Sequence, residues 1–238
     1  MSVYENKEKT PLVEIKELYK SYHSGDETVH ALQDVNLDID DGDFLCIMGE
    51  SGAGKSTLLS ILGGLNRPSE GKITVDEIDI YSLTNEQIAT YRSEYLGFVF
   101  QSFNLVPYLT VLENVMLPLA VTELKKKEKK ERAVTVVEKV RLGKKMSRLP
   151  DQLSGGEQER VAIARAIVNK PPIVLADEPT GNLDTKTGKE IMDLFANINR
   201  EGQTIIMVTH NPENIHYANK KVVIKDGMVV NVMNYVPI

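Results

Sequence analysis

The segment Gly49-Glu50-Ser51-Gly52-Ala53-Gly54-Lys55-Ser56-Thr57 constrains this chain more than any other feature. It fits the phosphate-binding pattern G-x-x-x-x-G-K-S. Glycines at these spacings let successive backbone N–H groups turn inward around a polyphosphate. Lys55 can then reach the β- and γ-phosphates, and the Ser56 hydroxyl can sit on Mg²⁺. The flanks suit the motif. Phe44-Leu45-Cys46-Ile47-Met48 reads as a buried strand and Ser56–Leu65 as a helix, and strand, loop, helix is the setting such a loop needs.

Bulk properties limit the alternatives. At 238 residues and 42% hydrophobic content, the chain suits one soluble α/β domain with a sizeable core. A formal net charge of −6 argues against a surface that coats nucleic acid. The best apolar stretch, Val111–Val121, is interrupted by Glu113, Asn114 and Pro118, so no membrane span is expected. The first residues, Ser2–Thr10, are polar and charged, unlike a signal peptide. The single Cys46 lies in the apolar strand before the loop, where a buried small hydrophobe is expected, in keeping with a reducing cytoplasm.

Along the chain, strands are expected at Leu12–Tyr19, Ala31–Ile39, Leu96–Phe100, Ile173–Ala176 and Thr204–Val208, and a strand pair within Gly71–Ile80. Asp41-Gly42 marks a turn, and Asp226-Gly227 a hairpin joining Lys221–Ile224 to Met228–Val230. Helices are expected over Thr110–Arg141, Glu157–Asn169 and Thr187–Arg200. Alternating strands and helices imply a mainly parallel sheet with a helical insertion near 103–156. The run Lys125–Arg132 reads as a solvated helix face, with contact to anionic lipid head groups as the alternative.

Two further constellations carry chemistry. Ile173-Val174-Leu175-Ala176 runs into Asp177 and Glu178. At a strand end, Asp177 can reach the Mg²⁺ shell of Ser56, and Glu178 can orient or deprotonate an attacking water. Ser154 and Glu157, flanking Gly155 and Gly156, have capping-box spacing. That segment is either a well-capped helix start or a second anion site, because a helix N-terminus offers N–H donors and a positive dipole end. One bound nucleotide would not need both phosphate-facing elements, so one of them is expected to serve a second subunit.

Leu153-Ser154-Gly155-Gly156-Glu157 resembles the signature of ATP-binding-cassette (ABC) ATPases. The phosphate loop, this element, the Asp177-Glu178 strand, Asn182-Leu183-Asp184 and His210 follow that family's order over roughly 12–238. The resemblance implies a P-loop NTPase fold: a RecA-like core, an antiparallel β subdomain and a helical subdomain at roughly 103–156. It also implies a homodimer that sandwiches each ATP between Gly49–Thr57 of one subunit and Ser154–Glu157 of the other, with Mg²⁺ as cofactor. Gln101 then resembles the glutamine that contacts Mg²⁺ and the water, although alone it reads as an exposed strand-end amide. His210 resembles the switch histidine at the γ-phosphate, and Asp184 the residue that crosses the dimer interface. Tyr22 aligns with the aromatic that stacks on adenine, with Tyr19 as competitor. His23, His30 and His216 read as surface residues.

Within the family, Leu175-Ala176-Asp177-Glu178-Pro179-Thr180-Gly181-Asn182-Leu183-Asp184 is similar to the macrolide-export and lipoprotein-release group (MacB/LolD type). Phe100–Pro107 and Leu112–Pro118 agree with it. This implies an integral membrane permease partner with an extracytoplasmic domain, no nucleic-acid partner, and a peripheral place on the cytoplasmic face of the membrane. A regulatory or scaffolding role without transport, like that of cell-division relatives, is the alternative. Most of the apolar residues from Phe103 to Leu112 are expected in the helical subdomain's own core, and some in a groove for the permease. Glu159 stands where the group has Gln; it lies past the phosphate-facing turn, and little effect on hydrolysis is expected.

Overall fold

A computed structural model describes residues 10–25 and 27–235; the polar segment before Thr10 lies outside them. In chain order the strands and helices are β1 (Val13–Ser24), β2 (Glu27–Ile39), β3 (Phe44–Met48), α1 (Lys55–Leu62), β4 (Glu70–Val75) and β5 (Ile78–Asp79). Then come α2 (Asn85–Tyr95), β6 (Leu96–Phe100), α3 (Val111–Met116), α4 (Lys126–Lys139) and α5 (Gly155–Ile167). The chain closes with β7 (Ile173–Asp177), α6 (Thr185–Arg200), β8 (Thr204–Val208), β9 (Lys220–Lys225) and β10 (Met228–Asn234).

The strands form two sheets. A six-stranded sheet has the order β10-β9-β3-β8-β7-β6, and a four-stranded sheet the order β2-β1-β4-β5. In the larger sheet β9, β3, β8, β7 and β6 run parallel, and only the edge strand β10 pairs antiparallel. The smaller sheet is antiparallel throughout. This is the α/β P-loop arrangement that the sequence led us to expect, with a separate antiparallel sheet beside it.

Alternation along each short parallel strand gives the large sheet two buried faces. Phe44 and Cys46 of β3, with Val174 and Ala176 of β7, face a core shared with α3–α6. Leu45 and Ile47, with Ile173 and Leu175, face a core shared with α1 and the antiparallel sheet. Cys46 is fully buried, and burial pushes its thiol up to about 12, so it packs as a hydrophobe.

Three segments differ from expectation. The helical run Thr110–Arg141 is broken: α3 ends at Met116, Leu117–Val121 forms a 3₁₀ turn with Pro118 near its start, and α4 begins at Lys126. Helix α2 has no counterpart in the sequence reading, because only Ile88 and Tyr91 along it are buried; its start is marked by the capping box Thr84–Gln87. The β1–β2 hairpin extends past both expected strands, to Ser24 and Glu27.

Candidate active site

β3, β6, β7 and β8 run parallel, so their carboxyl ends share one edge of the sheet, where loops can gather catalytic groups. The phosphate loop leaves β3 there and is braced by other strands. The Gly227 N–H, in the β9–β10 turn, donates to the Ala53 carbonyl at 3.1 Å. A Cβ on Gly49 would stand 2.2 Å from the Ile224 carbonyl oxygen, and one on Gly54 2.4 Å from that of Ala31. Backbone is approaching backbone, so only glycine fits. Glu50, Ser51, Gly52 and Ala53 form the arch between these two contacts.

The Lys55 side chain is buried, and its ammonium donates to the carbonyls of Gly49 and Glu50 at 2.9 and 2.8 Å. It lies at the start of α1, whose first turn carries no acidic residue to compete with an anion. Ser56 and Thr57 continue that turn. The Ser56 hydroxyl donates to Asp177 Oδ1 at 3.3 Å, which joins the loop to the end of β7. Burial, helped by the charge of Glu178, raises the Asp177 pKa, while Ser56 and Lys55 oppose it. One hydroxyl and one carboxylate are the hard-oxygen donors that suit Mg²⁺, an ion that keeps water and substrate phosphate as its other ligands. Among the described residues no group of three or more His, Cys, Asp or Glu side chains forms an all-protein metal cage.

Glu178 follows directly and holds φ at 49°, a left-handed conformation that costs a non-glycine residue about 1–3 kcal/mol. The surroundings impose it. Its N–H donates to the Val208 carbonyl at 2.9 Å, and its Oε2 lies 2.9 Å from His210 Nδ1. The carboxylate is mostly buried, while the imidazole is open to solvent. Gln101 emerges from β6, next to β7. Its carbonyl accepts from Asn182 Nδ2 at 2.8 Å, and its side-chain amide packs over Gly181. Lys55, Ser56, Asp177, Glu178, His210 and Gln101 are thus brought to one edge.

Tyr22 is exposed on β1, and the Lys20 ammonium lies 4.8 Å from the centre of its ring. It pairs with Val29, two residues before the Ala31 that abuts Gly54. Tyr19 pairs instead with Glu70 of β4. His23, His30 and His216 are exposed.

The second phosphate-facing element stands apart. Among the described residues no hydrogen bond joins Ser154–Glu157 to the phosphate loop. Ser154 caps α5: its hydroxyl accepts from the Glu157 N–H at 3.4 Å, and Glu157 Oε2 accepts from the Ser154 N–H at 3.1 Å. Lys145 pairs with Glu157 and, with these hydrogen bonds, lowers the pKa of Glu157. Gly155 packs on Leu183, and a Cβ on Gly156 would stand 2.3 Å from Thr187 Cγ2. Asp184 caps α6, accepting from the Thr187 hydroxyl at 2.6 Å and its N–H at 3.0 Å, which lowers the pKa of Asp184.

Sequence reasoning missed two supports. Asn214 is buried, and its amide donates to the hydroxyls of Thr180 and Thr209, at 3.2 and 3.0 Å. It ties the turn after Glu178 to the residue before His210. Arg165 donates through Nη2 to the Phe103 carbonyl at 2.7 Å and through Nη1 to that of Asn104, just beyond Gln101. Asn214 lies outside any motif, and Arg165 sits ten residues beyond the start of α5. Of the apolar residues after Gln101, Val111 is buried, Leu105 and Leu112 pack against the core, and Tyr108 is exposed.

The family model described as "ABC transporter" matches residues 32–181. The chain belongs to the ABC transporter family. It is 49% identical over 219 residues to the uncharacterized ABC transporter ATP-binding protein YvrO of Bacillus subtilis, an alignment covering 92% of this chain and 96% of YvrO. It is 44% identical over 220 residues to the macrolide export ATP-binding/permease protein MacB of Aggregatibacter actinomycetemcomitans. That match takes in 92% of this chain but 34% of MacB, so the chain spans about a third of that relative. A solved dimer of the cassette MJ0796, in a post-hydrolysis state with ADP and Pi, superposes with a TM-score of 0.85 at 43% identity, over 93% of this chain and 98% of that one. This ABC cassette is an ATPase with ATP and Mg²⁺ as its cofactors, and its phosphate loop and Ser56–Asp177 pair fit both. Among the described residues no helix is long and apolar enough to cross a membrane.

Proposed function

We propose that this ABC ATPase works as a head-to-tail homodimer that closes on two ATP molecules and drives an integral membrane permease with an extracytoplasmic domain, in export or release. The observation that carries this reading is the separation of the two phosphate-facing elements. Within one chain, Gly49–Thr57 joins Asp177, Glu178 and His210, while the N-terminus of α5 meets its own cap, Lys145, Phe103 and the segment around Leu183 and Thr187, with no hydrogen bond to the phosphate loop among the described residues. A second copy would bring its Ser154–Glu157 to the open side of the loop. The dimeric, product-bound state of MJ0796 supports such an arrangement.

In this reading Lys55 and the loop N–H groups hold the phosphates, Ser56 and Asp177 hold the ion, and Glu178 orients the attacking water. Mg²⁺ supplies charge neutralisation at the phosphate oxygens. Gln101 and His210 flank the reacting group, and Asp184 meets the other subunit. Positioning and charge do most of the work in phosphoryl transfer.

The permease would seat in a cleft of about 480 Å³ lined by Leu65, Phe98, Phe100, Leu117 and Val121, beside Asn104 and Arg165. Leu65, Leu117 and Val121 are exposed, an apolar patch that a partner would cover. Such docking puts the ATPase on the cytoplasmic face of the membrane. The 44% identity to MacB favours export over a purely regulatory role.

Replacing Ser154 tests the shared site. S154R should abolish hydrolysis while leaving ATP binding to the isolated chain within about twofold, since the phosphate loop is untouched. Full hydrolysis by S154R, or by a chain held monomeric, overturns the reading. Co-purification with the neighbouring permease, followed by a transport assay in vesicles, separates transport from signalling.

A further inference from the structure

Glu159 is fully buried on α5, and neither carboxyl oxygen has a hydrogen-bond partner among the described residues. It lies on the inward face with Gly156, Ile163 and Ala166. The buried residues of α3, α4 and α6 are all uncharged, as are β6 and the turn Leu117–Val121, which also pack on α5. Arg165, six residues further along α5, is a charged group whose field favours the ionised form of Glu159. That same guanidinium holds the carbonyls of Phe103 and Asn104. These are consecutive non-glycine residues at φ 59° and 49°, strained backbone that persists only when something pins it. The pinned segment begins two residues after Gln101.

We propose that Glu159 is a positioning residue for hydrolysis: as a neutral acid it leaves Arg165 free to clamp the loop behind Gln101, and as a carboxylate it draws Arg165 off the loop. An ionised carboxylate attracts a guanidinium more strongly than a neutral carbonyl oxygen does, so ionisation of Glu159 works against the clamp. Burial supports the neutral state at ordinary pH, since it pushes the Glu159 carboxyl up to about 9. A Gln at this place would have the shape of the neutral acid and could not ionise, so Glu159 adds a proton-dependent setting that a Gln would lack. The proposal rests on the reading of Gln101 as an active-site residue.

The test compares the full-length chain with E159Q in Mg²⁺-dependent ATP hydrolysis from pH about 7 to about 10. At neutral pH the two should agree in kcat and in KM for ATP within about twofold, because amide and acid are isosteric. At the alkaline end kcat of the parent should fall about tenfold while that of E159Q stays level. R165K keeps the charge but loses the planar fork. It should lower kcat about tenfold at neutral pH with KM unchanged, and expose the segment after Gln101 to protease. An infrared difference spectrum, parent minus E159Q, should show a protonated carboxyl band at neutral pH. An equal alkaline fall in E159Q, an unaffected R165K, or no such band overturns the proposal. Full activity of Q101A would instead overturn the role of Gln101, leaving the infrared result to report on Glu159 alone.

Discussion

The Glu178 carboxylate meets the His210 imidazole at 2.9 Å, Oε2 to Nδ1, across the ends of two adjacent parallel strands. A carboxylate only accepts, so this contact places a proton on Nδ1 and leaves Nε2 facing away from Glu178. The pair fixes the carboxylate beside the loop that carries Lys55 and Ser56. E178Q preserves the shape and removes the charge. It should cut steady-state hydrolysis by about 10²–10⁴-fold and let an ATP-bound dimer accumulate, visible by light scattering. Unchanged turnover would remove Glu178 from its role. H210A should also slow hydrolysis, and the double variant should lose less than the product of the two single effects, because the residues act as a unit.

The Ser56–Asp177 hydrogen bond at 3.3 Å predicts a separable effect on the metal. S56A and D177N should each raise the Mg²⁺ concentration for half-maximal activity by about 10–100-fold. ATP binding measured without Mg²⁺ should stay near that of the parent. A Mg²⁺ titration indistinguishable from the parent's would show that neither side chain holds the ion.

His210 was legible in the sequence only through the family resemblance, whereas Ser56, Asp177 and Glu178 were legible because spacing specifies them: a glycine-rich loop after an apolar strand, and two carboxylates at the end of another. The same holds for the short parallel strands, whose continuous apolar runs such as Ile173–Ala176 suit burial on both faces. The supports were less legible, because they depend on which distant segments meet. Asn214 reads as a polar loop residue until folding places it under Thr180 and Thr209. Glu159 shares the buried face of α5 with Ile163 and Ala166, a burial that an acidic side chain does not announce. The break within Thr110–Arg141 was foreshadowed by Pro118, which cannot continue the hydrogen-bond ladder of α3.

Asn214 gives a prediction that couples stability to turnover. Its amide donates to two hydroxyls in a buried setting, so N214L leaves both without that donor and costs about 1–3 kcal/mol. Urea unfolding should show this as a lower midpoint with an unchanged slope. Because Thr209 precedes His210 and Thr180 follows Glu178 by two, the surviving folded enzyme should lose kcat about 3–10-fold while KM for ATP holds. A loss of stability with full turnover would confine Asn214 to packing.

Glu159 makes stability itself depend on pH in a direction opposite to that of most acids. Folding raises its pKa to about 9, while in the unfolded chain a glutamate releases its proton near pH ~4.3. Below the lower value both states are protonated and the group contributes nothing to pH dependence. Between the two, the folded chain keeps a proton that the unfolded chain has lost. Stability therefore falls as pH rises, by ~1.4 kcal/mol per unit from this group, and the fall ends where the folded carboxyl itself ionises. E159Q has no proton to lose. Its unfolding free energy in urea should rise relative to the parent at each step from pH about 5 to about 8, whatever the other groups contribute, since they are common to both chains. If the two stability curves run parallel across that window, the carboxyl ionises as readily inside the protein as in water. The buried side chain would then have found a partner on α5 or its neighbours, and the clamp on Phe103 and Asn104 would owe nothing to its proton.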